Sequence, residues 1–325
     1  MKKLIVHMGA HRCASSATQA LLRRNCAEIE RKVCLVLRDD LRAEAHGIAM
    51  NRFHAYRWWS PVRRAEVSRT IRAVEQVEQN TILVSEENLM GVMPGHRGQG
   101  FFPGFRHLTR ALARLDPVAE VHPRLIVRRQ DKLIESIYGF RVAFGLRDDF
   151  SSFLKQFIGM DLSWLRFADD LTSAGFAETA RIDVLEGWPR GSATSHVLAF
   201  LGLHDLTLAG GGLRSGNSRF GAEALELLLA MNRCALGLDM SWRRAILFPA
   251  LRKAKHADTT LVQELLELGD DETSVLKAAL AMPSRFQMTD EERKQMLSPL
   301  KGPNRQFLKH RLVGSDEGCW YDDAG

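Results

Sequence analysis

The chain of 325 residues has no run approaching the 18 apolar residues of a membrane span, so its apolar content (45%) is left for a folded core. Only Met1-Lys2-Lys3 precede the apolar Leu4-Ile5-Val6, too little for the hydrophobic region of a secretory signal, and a soluble cytoplasmic protein is expected. Cysteine is sparse. Cys13, Cys26, Cys34, Cys234 and Cys319 are odd in number and form no C-x-x-C pair, which excludes a disulfide framework or a zinc site of ordinary spacing. No Pro-, Gly- or Ser-rich linker, internal repeat or low-complexity tract divides the sequence, so one domain spanning 1–325 is expected, with loose stretches at 91–104 and 209–221. The net charge of +6 is not gathered into one basic run, and no zinc spacing, RNA-binding aromatic motif or basic zipper occurs. Nucleic acid is therefore not an expected partner. The charge fits attraction for a small, highly anionic ligand.

Short apolar runs alternate with segments of helical periodicity. Strands are expected near 4–7, 82–85, 125–127 and 180–184, with a further one at 33–37. Helices are expected at 16–28, 62–79, 104–115, 131–144 and 195–201. This alternation predicts an α/β fold with a parallel sheet flanked by helices. From about residue 220 the pattern is almost wholly helical (222–233, 242–253, 259–268, 273–281 and 290–297), with Pro299 as the expected stop. Trp58-Trp59 before Ser60-Pro61 reads as a staple against the next helix, or as a stacking platform.

Four stretches carry chemistry. In the first, Leu4-Ile5-Val6-His7-Met8-Gly9-Ala10-His11-Arg12-Cys13-Ala14-Ser15-Ser16-Ala17, a strand breaks into small residues with one cation and becomes a helix start. Free N–H groups and the helix dipole converge there, and Arg12, Ser15 and Ser16 complete a cradle for a tetrahedral oxyanion. A nucleotide-triphosphate loop needs a second Gly and a Lys where this chain has Ala14 and Ser15. In the second stretch, Arg128 ends a strand and Ser136 follows eight residues later on a helix, within Arg128-Arg129-Gln130-Asp131 and onward. The third, Thr81-Ile82-Leu83-Val84-Ser85-Glu86-Glu87-Asn88-Leu89, ends a strand in carboxylates, of which Glu87 is the candidate base. His11 and Glu86 compete with it, while His7 reads as a core histidine. The fourth is a late basic loop containing Arg214 and Arg219.

Together these stretches resemble the sulfotransferase superfamily, in particular bacterial members that use 3′-phosphoadenosine 5′-phosphosulfate. The resemblance implies a P-loop-like three-layer fold with a parallel sheet. It implies that Arg12, Cys13, Ala14, Ser15, Ser16 and Ala17 hold the 5′-phosphosulfate, and that Arg128 and Ser136 hold the 3′-phosphate. Arg214 and Arg219 would close over the donor, and Glu87, or His11 in its place, would take the acceptor proton. No metal is implied. The implied acceptor is a hydroxyl on a glycan or a lipid-linked glycan. Ala14 departs from the usual Gly, Ser15-Ser16 from the commoner Thr pair, and Cys13 stands where relatives carry Thr. The other readings are a P-loop kinase or NTPase with a degenerate Walker loop, and a non-catalytic glycan- or nucleotide-binding relative.

Overall fold

A computed structural model describes residues 1–55, 60–95, 100–189, 191–206, 213, 220–254, 259–314 and 320. Its centre is one parallel sheet of five strands: β1 (Lys2–His7), β2 (Cys34–Leu37), β3 (Thr81–Ser85), β4 (Ala119–Val127) and β5 (Arg181–Val184). Their order across the sheet is β2-β3-β1-β4-β5. Leu4, Ile5 and Val6 are consecutive and all fully buried, so both faces of β1 are covered, as an all-parallel sheet requires. The α/β class and the parallel sheet expected from the alternation are both present.

The connections position the site. From β1 the chain crosses to β2 on one side, and from β4 it runs to β5 on the other. The adjacent C-terminal ends of β1 and β4 therefore form a switch point, the place where open parallel sheets hold ligands. Helix α1 (Ser15–Arg24) leaves β1 through the small-residue loop. Helix α2 (Pro61–Gln76) leads into β3, and α3 (Phe105–Leu112) precedes β4.

The folded chain corrects several sequence expectations. Helix α1 stops at Arg24 because Asn25 turns its side-chain amide back onto the Leu21 carbonyl (2.8 Å), an alternative to continued helix; a separate turn, Cys26–Ile29, follows. Strand β4 is far longer than 125–127 and includes Pro123, which usually argues against a central strand. Here Arg124 and Ile126 direct their backbone groups toward β1, so Pro123 faces the other side, where β5 begins only opposite Arg124. Its missing N–H thus costs no ladder bond. The helix Asp290–Leu297 ends two residues before Pro299, at the expected stop, but the chain turns through Ser298–Leu300 into a further helix, Lys301–Leu308, that the pattern did not announce. The expected helix at 242–253 contains a wide turn, Arg243–Leu247, just before Pro249, which cannot supply the regular helical bond.

The chain forms two compact units. The first comprises Met1–Gln130, Met160–Asn217 and Leu297–Gly325 and contains the sheet; the second comprises Asp131–Gly159 and Ser218–Met296 and is helical. In the second unit, α4 (Gln130–Ala143, beginning on the last residue of the first unit) is tied to helix Ala222–Arg233 through Asn232, whose amide donates to the carbonyls of Val142 (2.7 Å) and Leu146 (2.8 Å). Arg243 joins that network through Asn232 Oδ1 (2.7 Å). Among the described residues, no helix is long and apolar enough to cross a membrane.

Candidate functional site at the ends of β1, β3 and β4

The loop after β1 continues the sheet's bonding past the end of the strand. Met8 N–H donates to Arg124 O (2.9 Å), Ile126 N–H to Gly9 O (2.6 Å), and Ala10 N–H to Ile126 O (2.7 Å). The loop then curls through left-handed backbone at Arg12 (φ 64°) and Ala14 (φ 62°), the latter directly before α1. An alanine there carries the strain that a glycine would avoid. No side chain caps α1, so the first-turn N–H groups of Ser15, Ser16 and Ala17 present partial positive charge at the strand ends.

Glu87 is built into this loop. It follows β3 at the start of the turn Glu87–Met90, and its side chain is 15% exposed. Gly9 makes the approach possible: a Cβ added there would lie 3.0 Å from Glu87 Cβ, and its φ of 95° also favours glycine. Ser15, 1% exposed, donates its hydroxyl hydrogen to Glu87 Oε2, with Ala10 O 3.2 Å away as the competing acceptor. The Ser15 hydroxyl expected to face a bound anion is instead turned onto the carboxylate. Ser16 is half-buried.

His11 stands on the other side of the same carboxylate. Its Nε2 donates to the Gly91 carbonyl (3.0 Å), which fixes the hydrogen on that nitrogen and leaves Nδ1 facing Glu87 Oε1 at 3.9 Å. The ring lies parallel to Phe102, 6.0 Å away. Phe102 in turn belongs to an aromatic cluster with Phe101, Trp164 and Phe167. The C-terminal side of the loose stretch at 91–104 is thus anchored. Glu86 points away from the loop. Its Oε1 accepts from the backbone N–H (2.7 Å) and side-chain amide of Asn88. His7 is fully buried, with Nδ1 2.8 Å from Ser85 Oγ, and burial holds it down to about 4, so it is a neutral core residue.

Arg128 sits one residue beyond β4. Trp164 donates to its carbonyl (2.8 Å), and its Nε donates to Glu186 Oε1 (3.1 Å). Glu186 also accepts from Arg129 N–H (3.1 Å) and Trp320 Nε1 (3.2 Å). Sequence reasoning missed Glu186. The available signal was its position two residues after β5, at the same edge as the other groups. Cys13 reports how closely these charges gather. Its buried thiol is pushed well up by loss of solvent; Arg128 and Arg12 pull it down, and Glu186 and Glu87 raise it further. It is a neutral filler, with Sγ 3.5 Å from the His11 carbonyl.

The first unit therefore brings together Arg12, Cys13, Ala14, Ser15, Ser16, Ala17, Glu87, His11 and Arg128. Ser136 belongs to the second unit, where it is 4% exposed on α4. On the same helix, Asp131 and Glu135 are paired with Arg293 at 3.5 and 3.1 Å. Arg214, Arg219 and Trp58-Trp59 lie outside the described residues. Among the described residues, no group of three or more His, Cys, Asp or Glu side chains is arranged to hold a metal ion. Comparison with family models, curated proteins and solved structures finds no match. The site must be read from its own chemistry.

Proposed function

We propose that the chain is a sulfotransferase with a P-loop-like site, moving a sulfuryl group from 3′-phosphoadenosine 5′-phosphosulfate to a hydroxyl, with a glycan or lipid-linked glycan as the expected acceptor. One observation carries the reading: a carboxylate, Glu87, is held by Ser15 and faced by His11 beside a loop that leads into the uncapped start of α1. A base beside an oxyanion cradle is what transfer to a hydroxyl requires.

In this reading the acceptor oxygen attacks sulfur while its proton passes to Glu87. The bond between sulfur and the bridging phosphate oxygen breaks, and the electron pair leaves with the adenosine bisphosphate. Arg12 and the N–H groups of Ser15, Ser16 and Ala17 stabilise the charge growing on that oxygen. His11 Nδ1 is positioned to share the proton with Glu87. Arg128 recognises a second phosphate of the donor. Its Nε is committed to Glu186, so its outer guanidinium nitrogens make that contact.

Calorimetry with 3′-phosphoadenosine 5′-phosphate and with ATP, each with and without magnesium, tests the reading. Magnesium-independent binding of the bisphosphate, weakened in Arg128→Ala, is expected. Preference for magnesium-ATP would transfer the site to phosphoryl chemistry, and bisphosphate binding without turnover on any acceptor would make it a binding protein.

A further inference from the structure

The last part of the chain reaches the site along the β5 edge of the sheet. After the helix Lys301–Leu308, residues 312–314 lie beside β5. Ile182 N–H donates to Leu312 O (2.7 Å), Gly314 N–H donates to Ile182 O (3.0 Å), and Val313 pairs with Ile182 in parallel. A parallel partner runs the same way as the strand, so 312–314 point toward the strand ends that carry Arg128 and Glu186. Trp320 lies at that edge. It is 3% exposed, and its ring stacks on Phe307 with centroids 5.5 Å apart. Arg129 Nη1 donates to its carbonyl (3.3 Å), and its indole N–H donates to Glu186 Oε2 (3.2 Å).

That indole bond bears on how Glu186 meets Arg128. An arginine and a carboxylate commonly meet as a fork, with two parallel N–H···O bonds. This pair makes one, from Nε to Oε1 at 3.1 Å. The second oxygen, Oε2, accepts instead from the Arg129 backbone N–H (3.1 Å) and from Trp320. Among the described residues, the outer guanidinium nitrogens of Arg128 make no hydrogen bond. The indole is the side-chain half of the clamp on Oε2, and it comes from 134 residues away.

We propose that Trp320 is a positioning residue for donor binding: its indole N–H holds Oε2 of Glu186 off the Arg128 guanidinium and so keeps the outer nitrogens open to the donor's second phosphate. The proposal rests on the sulfuryl-transfer reading, in which Arg128 recognises that phosphate. It adds a residue that acts through Glu186. A carboxylate that already accepts from three N–H groups has fewer lone pairs left with which to compete for the cation.

Two replacements separate the indole N–H from the indole ring. Trp320→Phe keeps an aromatic ring for Phe307 and removes the donor. Trp320→His keeps a ring nitrogen, Nε2, at the position of the indole nitrogen and removes the larger ring. Affinity for 3′-phosphoadenosine 5′-phosphate is measured by calorimetry on the full chain at about pH 8, where a histidine is neutral. It should fall about three- to tenfold in Trp320→Phe, as loss of one hydrogen bond allows, and stay near the parent value in Trp320→His. In a Glu186→Ala background, adding Trp320→Phe should change nothing, because no carboxylate remains to be held.

A packing role gives the opposite order, with Trp320→His the weaker binder, and that order overturns the proposal. So does an unchanged affinity in Trp320→Phe, or the same loss with and without Glu186. If Trp320→Phe fails to fold, Trp320→His decides: parent-like affinity supports the role of the N–H, and a loss overturns it. A parent chain that does not bind the bisphosphate would sink the sulfuryl-transfer reading and this proposal with it. Bisphosphate binding indifferent to Trp320 would sink this proposal alone.

Discussion

Gly9 and Glu87 come so close that the glycine's missing side chain is the space the carboxylate's own Cβ requires, with 3.0 Å between an added Cβ and that atom. The proposed base and the loop after β1 are thereby one packing unit. Gly9→Ala should cost about 1–3 kcal/mol from left-handed backbone strain and displaced packing. A lowered urea midpoint with unchanged slope, together with lost turnover, is the expected result.

Glu87→Gln keeps the shape and removes the base. Turnover should fall by about 10²–10⁴-fold while bisphosphate affinity changes little. Ser15→Ala should lower kcat by roughly tenfold through loss of one hydrogen bond to the carboxylate, again sparing bisphosphate affinity. If Ser15→Ala instead weakens the bisphosphate and leaves kcat intact, the hydroxyl serves the anion directly. Steady-state kinetics and calorimetry on the same samples distinguish the outcomes.

On the sulfuryl-transfer reading, Glu186 competes with the donor's phosphate for the Arg128 guanidinium. Glu186→Gln should raise bisphosphate affinity several-fold, by releasing the guanidinium. It should also lower the melting temperature, because Arg129 N–H and Trp320 Nε1 lose a charged acceptor. Arg128→Ala should weaken the same ligand by about ten- to a hundredfold.

His7 is held below its unfolded value by burial, so the unfolded chain binds its proton more readily. The stability it contributes is present in full above pH 6.5 and is lost as the pH falls from there toward 4, by about 3 kcal/mol. Urea unfolding at pH 7.5 and 4 should show a smaller acid loss in His7→Gln than in the parent chain.

The local features were legible in the residues. Leu4-Ile5-Val6 followed by small residues and one Arg specifies strand, loop and helix start, and the Glu pair after Leu83-Val84 marks a second strand end. Hidden features depend on partners distant along the chain. Nothing in the sequence near Arg128 announces Glu186, fifty-eight residues away. Pro123 reads as a strand breaker until the position of β5 reveals which way its missing N–H faces. The direction of Ser15 likewise depends on Glu87, which only the β1–β3 register brings alongside.

Because Gly9 and Ala10 exchange backbone hydrogen bonds with Ile126, the loop is stitched to the strand whose end, Val127, leads directly into Arg128, two residues on from Ile126. At about 3.3 Å per residue, the backbone interval from Ile126 to Arg128, which on the sulfuryl-transfer reading separates the two anion anchors, is a length marked off on a stiff ruler. On that reading, such a gauge would favour a ligand whose charged ends match the interval. Retuning the chain for a shorter or longer molecule would take a residue inserted into or deleted from β4, since no joint lies between the marks to flex.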